Sequence, residues 1–273
     1  MERDFRALTR FMKGSGTCLT RLRYPQVMKR AIRSPRYAIR AAMGWWRIGG
    51  LGLDKLEFVA RLLDTTVESV TSTLGELKTN KALYQHLRNY TEVGVPKGHT
   101  TGAMAHDVGE VLYLLVRLLK PEVVVETGVA AGISSCFILQ AEEDNRTGRL
   151  YSIDLHSPGH RLEDGLTYHM PQGRQSGWVI PDNLKYRLHL ILGDARETLP
   201  PLLDQLSSID IFLHDSLHTF KHQKWEYETA YPFVNKGGLL LSHDIGKAFL
   251  EFCGKHGAPY IHYKYLGGLV KKG

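Results

Sequence analysis

"VVVETGVAAGISS", residues 123–135, joins a run of apolar β-branched residues to a turn containing two glycines and then to a stretch able to form a helix. A short apolar run of this kind is typical of a buried strand, and glycine is favoured where a strand turns tightly into a helix. Backbone amides at the start of such a helix can approach a ligand closely. The stretch therefore predicts a ligand-binding turn between a buried strand and a helix.

Four further strand-like runs follow this turn, at residues 150–154, 186–194, 209–215 and 237–244. Stretches able to form helices separate most of the runs, at residues 132–143, 196–206, 219–234 and 245–256. Strands that alternate with helices form a mostly parallel sheet covered on both faces. The predicted fold class is therefore α/β, with a doubly wound sheet.

An acidic residue lies at the end of each predicted strand. These residues are Glu126, Asp154, Asp194, Asp215 and Asp244. Ligands bind at the carboxyl ends of the strands in open parallel sheets, so five acids at one edge predict a site. A dinucleotide-binding turn would have the pattern G-x-G-x-x-G, but Ala130 occupies the middle position here. A nicotinamide enzyme would share Asp154, yet it would need neither Glu126 nor the "GDA" turn at 193–195.

Together, the motifs "VVVETGVAAGISS", "LYSIDLHSPG", "LILGDARETLP", "IDIFLHDSLHTF" and "GGLLLSHDI" resemble a known family. Residues 100–273 are similar to class I S-adenosylmethionine-dependent methyltransferases, in the group that contains macrocin-type and cephalosporin-pathway O-methyltransferases. The resemblance implies a Rossmann-like, seven-stranded, mostly parallel sheet of order 3-2-1-4-5-7-6 with strand 7 antiparallel. "PYIHYKYL" and "GGLVKKG" at the end of the sequence would supply the last hairpin.

The resemblance also implies S-adenosylmethionine as the cofactor and assigns residues to it. Its methionine portion would lie against Glu126, Gly128 and Gly132, and Thr127 and Ser134 are assigned to the same cofactor. Asp154 would accept hydrogen bonds from the ribose hydroxyls, and Asp194 with Ala195 would face the adenine. Asp215 would lie below the methyl donor.

A divalent ion is the second group that the resemblance implies. Strands 4 and 5 are neighbours in the implied order, so Asp215 and Asp244 would end side by side, and two carboxylates that close repel each other unless a cation lies between them. Related enzymes typically hold magnesium there. This sequence has His243 before Asp244, where close relatives often carry a second acid. The predicted ligands are Asp215, His243 and Asp244. Magnesium prefers oxygen ligands, whereas imidazole suits manganese, iron or zinc, so His243 leaves open which divalent ion is bound and whether one is bound at all.

His218 is the predicted catalytic base, acting beside Asp215. It lies three residues past Asp215, where an imidazole with an ordinary pKa near 6.5 could take a proton from the methyl acceptor or serve as a ligand. His214 is interpreted as a structural strand residue. His222 could face the same cleft or the solvent.

The first 50 residues form a basic arm. Residues 1–47 contain twelve Lys or Arg against two acids, a net charge of +10 in a chain whose total is +7. Cations mixed with Tyr37, Trp45 and Trp46 suit an anionic membrane surface, nucleic acid, or packing against a neighbouring subunit in a homo-oligomer. Residues 51–99 are predicted as a helical extension or cap, residues 100–273 as the methyltransferase domain, and residues 155–182 as a lid loop in which Trp178 and Tyr168 contact ligands.

Composition excludes several classes of protein. With 43% hydrophobic and 23% charged residues the chain is neither disordered nor collagen-like. Three widely spaced cysteines argue against a disulfide framework and suit a reduced cytoplasm. No stretch has the length of a membrane span or of a signal-peptide core, so the expected location is cytoplasmic, with peripheral membrane contact through the arm.

Three functions are compatible with these features. The leading one is O-methylation of a small molecule or of a sugar, including a glycolipid. The second is an RNA methyltransferase whose arm contacts phosphates. The third is a metal-binding protein without methyltransferase activity, which the two His-Asp pairs suggest but which leaves the glycine turn and Asp154 unexplained.

Overall fold

The computed structural model describes residues 52–91, 99–100, 104–155 and 167–272. The predicted basic arm and loop residues 156–166 lie outside these ranges. In the part of the chain that is described, no helix has both the length and the apolar character that crossing a lipid bilayer requires.

In the described ranges, four helices precede the sheet. They are α1 (Lys55–Leu62), α2 (Val67–Thr79), α3 (Lys81–Thr91) and α4 (His106–Leu119). Asp54 begins α1, because its carboxylate accepts hydrogen bonds from the backbone amides of Leu56 and Glu57. Helices α1, α2 and α3 lie within residues 51–99.

A threonine side chain caps the start of α2. Thr66 is the cap, and its hydroxyl accepts a hydrogen bond from the Ser69 amide at 3.2 Å. Thr66 has the extended backbone that a helix cap requires.

Seven strands form one sheet. They are β1 (Val123–Thr127), β2 (Arg149–Asp154), β3 (Leu188–Leu192), β4 (Ile209–His214), β5 (Val234–Ser242), β6 (Ile261–Tyr263) and β7 (Leu266–Val270). The spatial order is β3-β2-β1-β4-β5-β7-β6, with β7 antiparallel to both of its neighbours and the other pairs parallel. The predicted fold class and strand order are therefore confirmed.

Helices follow β1, β3, β4 and β5, where the alternating pattern placed them. They are α5 (Ile133–Asn145), α6 (Ala195–Leu206), α7 (Phe220–Ala230) and α8 (Lys247–Lys255). The predicted helix at 219–234 is shorter, because a 3-10 turn at Tyr231–Phe233 carries Pro232, whose ring cannot continue an α-helix. As a result β5 begins at Val234 rather than at residue 237.

The helices before the sheet share a hydrophobic core with it. Phe58, Leu77 and Leu87 on α1, α2 and α3 belong to the same buried cluster as strand residues such as Val124 and Ile211. Hydrogen bonds reinforce this packing. Buried Glu110 on α4 pairs with Lys55 of α1 and Lys78 of α2, and it accepts a hydrogen bond from the Tyr84 hydroxyl of α3 at 2.8 Å.

Candidate active site

The turn between β1 and α5 requires glycine at two positions. Gly128 has φ +86°, and a Cβ atom there would lie 2.2 Å from the carbonyl oxygen of Asp215. Gly132 caps α5 at φ +96°, and a Cβ atom there would lie 2.9 Å from the Cα of Gly177. The turn therefore touches the end of β4 on one side and the chain that leads into β3 on the other.

Glu126 lies beneath this turn with no exposed surface. Its carboxylate accepts hydrogen bonds from the hydroxyls of Ser134, Ser135 (2.7 Å) and Ser152 (2.9 Å). Burial raises the pKa of Glu126 to about 7 although the three hydroxyls oppose the shift, and the charge of Asp215 adds to it. The geometry makes Glu126 and Ser134 supports of the turn, and their roles as cofactor contacts stay predictions.

Asp154 lies at the end of β2, beside the turn. The backbone amide of Val129 donates to its Oδ1 at 3.3 Å, and the Ser176 hydroxyl donates to its Oδ2. The Tyr168 side chain is 8% exposed, and its hydroxyl has no hydrogen-bond partner among the residues described. Burial and the negative charge of Asp154 raise the pKa of Tyr168 far above its usual value. Asp154 is thus fixed in orientation at the position predicted for a ribose.

The end of the predicted lid loop packs against the glycine turn. The amides of Gly177 and Val179 donate to the carbonyls of Ala130 and Ala131 at 2.9 and 3.0 Å. His86 of α3 donates to the Val179 carbonyl at 2.7 Å, and the Trp178 ring meets the ring of Tyr90 edge-on at 5.3 Å. Residues 177–180 therefore support the turn, and a lid function for the rest of the loop stays a prediction.

The predicted adenine side lies at the ends of β2, β3 and β4. Asp194 caps α6 by accepting a hydrogen bond from the Arg196 amide at 2.8 Å, and Ala195 is buried beside it. Three leucines at these strand ends are unusually exposed, namely Leu155 (56%), Leu192 (47%) and Leu217 (46%). Large apolar side chains left open to solvent beside a polar edge suit a flat apolar ligand group.

Two histidines and two aspartates meet where β4 and β5 end. His243 Nδ1 lies 2.9 Å from Asp215 Oδ1, and His218 Nε2 lies 3.8 Å from the same oxygen. Asp244 Oδ2 lies 3.5 Å from His218 Nε2 and 3.8 Å from His243 Nδ1. The structure thus brings together all four residues predicted for the base and the metal.

The strand register changes one predicted contact. His214 of β4 pairs with Ser242 of β5, so Asp215 lies opposite His243 and not, as expected, beside Asp244. Asp244 comes one position later, in the left-handed backbone region at φ +49°. The Gln223 side chain of α7, which is buried, donates to the Asp244 carbonyl at 3.2 Å and supports this conformation.

His218 is partly buried among these charges. Burial lowers its pKa, while the carboxylates of Asp244 and Asp215 oppose that shift. An imidazole with a lowered pKa is neutral at pH 7 and keeps a lone pair, so it can accept a proton or bind a metal ion.

The sequence analysis missed a buried carboxylate behind the site. Glu226 of α7 has no exposed surface, and it accepts hydrogen bonds from the Thr127 hydroxyl (2.6 Å), His214 Nδ1 (2.5 Å), the Ser216 hydroxyl (2.8 Å) and His222 Nε2 (2.8 Å). Burial alone would raise its pKa, but the interaction with His214 and these hydrogen bonds hold it well below the usual range.

Thr127 and the two neighbouring histidines take their positions from Glu226. The Thr127 hydroxyl therefore faces Glu226, and its role as a cofactor contact stays a prediction. His214 is structural, as interpreted from the sequence, and His222 faces Glu226 rather than the cleft or the solvent. The spacing of four residues between His222 and Glu226, which puts both on one helix face, was the available signal.

Comparisons with known proteins find similarity over part of the chain. Residues 125–245 match the family described as a methyltransferase domain. A curated protein of Mycolicibacterium smegmatis, named as a candidate O-methyltransferase, is 33% identical over 115 residues, which are 42% of this chain and 48% of that protein. This chain therefore spans about half the length of that relative.

Two solved structures illustrate the likeness in three dimensions. A Podospora anserina methyltransferase with bound S-adenosylhomocysteine has a TM-score of 0.49 at 15% identity, covering 71% of this chain and 88% of that one. An O-methyltransferase from Bacillus cereus, also in complex with S-adenosylhomocysteine, has a TM-score of 0.46 at 14% identity, covering 70% and 91%. Residues 125–245 thus match a methyltransferase domain, and the strand order is the one that the resemblance to class I S-adenosylmethionine-dependent methyltransferases implies.

Proposed function

We propose that this protein transfers the methyl group of S-adenosylmethionine to a hydroxyl oxygen of a small molecule or a sugar, including a sugar carried by a lipid. The observation that supports the proposal is the spatial arrangement of three features along one edge of the sheet. The glycine turn after β1, Asp154 after β2 and the His-Asp cluster after β4 and β5 lie side by side within the matched domain.

The residues of the edge fit the cofactor. The Gly128 turn offers backbone close to the ligand, and Asp154 offers a carboxylate for ribose hydroxyls. The Tyr168 hydroxyl, buried beside Asp154 without a hydrogen-bond partner in the described ranges, is a further polar group for the same sugar. Exposed Leu155 and Leu192 would cover the faces of the adenine.

The acceptor hydroxyl must lose its proton for its oxygen to attack the sulfonium methyl. His218 can take that proton, and the carboxylates of Asp215 and Asp244 would stabilise the imidazolium that forms. The same cluster fits a divalent ion, because ligand atoms of Asp215, His218 and His243 lie within 4.8 Å of one another. A bound ion would lower the pKa of the hydroxyl.

Calorimetry tests the donor half of the proposal. S-adenosylhomocysteine should bind with one-to-one stoichiometry, and Asp154→Asn should weaken binding by about 10-fold or more, because a charge-assisted hydrogen bond contributes roughly 1.5–3 kcal/mol. Asp204→Asn, on the exposed side of α6, is the matched control. If S-adenosylhomocysteine does not bind, the proposal is wrong.

The acceptor half needs turnover. Transfer of a tritiated methyl group to panels of hydroxylated small molecules, sugars and glycolipids should give a product that retains the label under conditions that hydrolyse methyl esters. Label in an amine or a thiol product would contradict oxygen as the methylated atom.

The basic composition of residues 1–47 favours a second candidate, an RNA methyltransferase. This candidate predicts RNA binding whose affinity falls steeply with salt, and methylation of RNA. Methyl transfer to a small hydroxylated acceptor without any transfer to RNA would eliminate it.

A further inference from the structure

The His-Asp cluster has an unusual set of ligand atoms for a magnesium site. The three residues that converge most closely, Asp215, His218 and His243, offer one carboxylate oxygen and two imidazole nitrogens. Magnesium prefers oxygen ligands in octahedral geometry, whereas imidazole suits zinc, iron, cobalt and nickel. The donor chemistry of the cluster therefore disagrees with the ion expected from the family resemblance.

The distances between the ligand atoms are compatible with a shared ion. Metal bonds of about 2.0 Å in a tetrahedron give edges of about 3.3 Å between ligand atoms. His243 Nδ1 and Asp215 Oδ1 are 2.9 Å apart, and His218 Nε2 and Asp215 Oδ1 are 3.8 Å apart, so these two separations lie on either side of that edge. All three ligand atoms lie within 4.8 Å of one another, so a shift of the side chains would be needed to bind one tetrahedral ion.

Asp244 differs from these three residues. Its side chain is 48% exposed, its Oδ2 lies 3.5 and 3.8 Å from the two histidines, and it falls outside the converging group. Its place at the rim would leave the fourth position of an ion open to a ligand from outside the protein, as catalytic sites require.

We propose that Asp215, His218 and His243 form a binding site for a transition-metal ion such as Zn²⁺, Fe²⁺ or Co²⁺, and that the site selects such ions over Mg²⁺. The proposal deepens the proposed function, because the ion would act on the acceptor hydroxyl, but its binding does not depend on methyl transfer. With an ion bound, the lone pair of His218 is used and His218 cannot act as the base, so Asp244 at the rim would take the proton of the acceptor hydroxyl.

The test uses the full chain without a polyhistidine tag, freed of metal by dialysis against a chelator. Titration calorimetry with Zn²⁺, Co²⁺ and Mg²⁺ should give one site that binds Zn²⁺ and Co²⁺ at least 100-fold more tightly than Mg²⁺. Co²⁺ bound to nitrogen and oxygen in four-coordinate geometry should also produce a visible absorption band of high intensity.

Variants locate the site. His218→Ala and His243→Ala should each remove the band and weaken Zn²⁺ binding by 100-fold or more. His189→Ala, at an exposed histidine of β3, is the matched control and should change neither. His243→Asp, which restores an oxygen ligand, should shift the preference toward Mg²⁺.

Equal affinity for Mg²⁺ and Zn²⁺, or Zn²⁺ binding that survives both histidine substitutions, would overturn the proposal. The ratio of the Zn²⁺ affinity to the Mg²⁺ affinity is measured on the unsubstituted chain, so it tests the proposal even if a variant does not fold. S-adenosylhomocysteine binding, measured on the same metal-free sample, separates the two proposals: cofactor binding without selective metal binding refutes only this one.

Discussion

Glu226 shows how a single buried carboxylate can hold several parts of a site. Its four hydrogen-bond donors come from the end of β1, the end of β4, the loop after β4 and its own helix. A buried charge in this position is stable only while its partners stay in place, and removing it leaves donors unsatisfied.

Glu226→Gln should therefore lower the free energy of unfolding by about 2–4 kcal/mol, because the amide nitrogen of glutamine would face donors instead of accepting from them. Urea denaturation followed by circular dichroism measures this loss. Glu228→Gln makes the same change two residues along α7, where the carboxylate is partly exposed and pairs only with Lys255 among the described residues, and should cost less than about 1 kcal/mol. Equal losses in the two variants would contradict the role of Glu226.

Glu142 of α5 predicts a dependence of stability on pH. It has no exposed surface, its two carboxylate oxygens have no hydrogen-bond partner among the residues that the structure describes, and burial raises its pKa to about 8. The folded chain thus keeps this proton up to about pH 8, whereas the unfolded chain releases it near the ordinary value of 4.5. Since the folded state binds more protons between these values, stability falls as pH rises through the window.

Glu142→Gln should remove this loss, so the difference in unfolding free energy between variant and wild type should grow by about 1.4 kcal/mol per pH unit from pH 5 to pH 8. Glu143→Gln is the control. Hydrogen bonds from Tyr186 and Arg187 hold the pKa of Glu143 below its usual range, so it is ionised throughout that window and its substitution should give a constant offset. Parallel pH profiles for wild type and Glu142→Gln would refute the prediction.

At the scale of the elements, the turn after β1 depends on glycine for two separate reasons. Gly128 needs both a positive φ and the space that a Cβ atom would take from the Asp215 carbonyl. Gly237, before the buried part of β5, has a similar φ of +80° but no neighbouring atom within 4 Å of its Cβ position. Comparing substitutions at the two glycines therefore distinguishes the cost of a positive φ, which both positions have, from the cost of a steric clash, which only Gly128 has.

Gly237→Ala should cost about 1–2 kcal/mol of stability, which is the cost of the left-handed conformation. Gly128→Ala should cost about 3 kcal/mol or more, because the turn must also move away from β4, and it should weaken S-adenosylhomocysteine binding at least 10-fold. Thermal unfolding and calorimetry measure the two effects. Similar losses at both positions would mean that the close approach of Gly128 to Asp215 contributes nothing to stability or to S-adenosylhomocysteine binding.

The elements also show what the sequence could predict. The strands could be located because apolar runs ending on Glu126, Asp154, Asp194, Asp215 and Asp244 are local patterns, and alternation with helices fixes a parallel sheet. The contact of Asp215 with His243 could not be predicted, since the register of β4 on β5 depends on how two distant segments pair. The hydrogen bond from Ser176 to Asp154 could not be predicted either, because it depends on the path of the long loop that separates the two residues.

At the scale of the whole molecule, charge is unevenly distributed. The +10 of residues 1–47 contrasts with the remainder of the chain, whose charges leave it slightly negative. Each Lys or Arg near an anionic membrane surface contributes about 1 kcal/mol to binding.

The full chain should bind vesicles that contain anionic lipid and not neutral ones, and salt should weaken the binding. Replacing Lys29, Arg30 and Arg33 by Gln should reduce the affinity roughly 100-fold, whereas replacing the exposed lysines Lys221, Lys224 and Lys236 removes the same charge and should have little effect. Vesicle sedimentation measures both. Equal effects of the two triple substitutions would show that the arm has no special part in binding.

The contact between α3 and residues 178–179 has a consequence for the design of truncated fragments of this protein. Every motif of the matched domain lies after residue 100, so a fragment that starts there would contain all of these motifs. The fragment would lack Tyr90, whose ring packs against Trp178, and His86, which donates a hydrogen bond to the Val179 carbonyl. The Val179 amide in turn donates to the carbonyl of Ala131 in the glycine turn. A fragment that keeps these contacts must therefore begin before α3, and substitutions in that helix would act on the glycine turn through Val179.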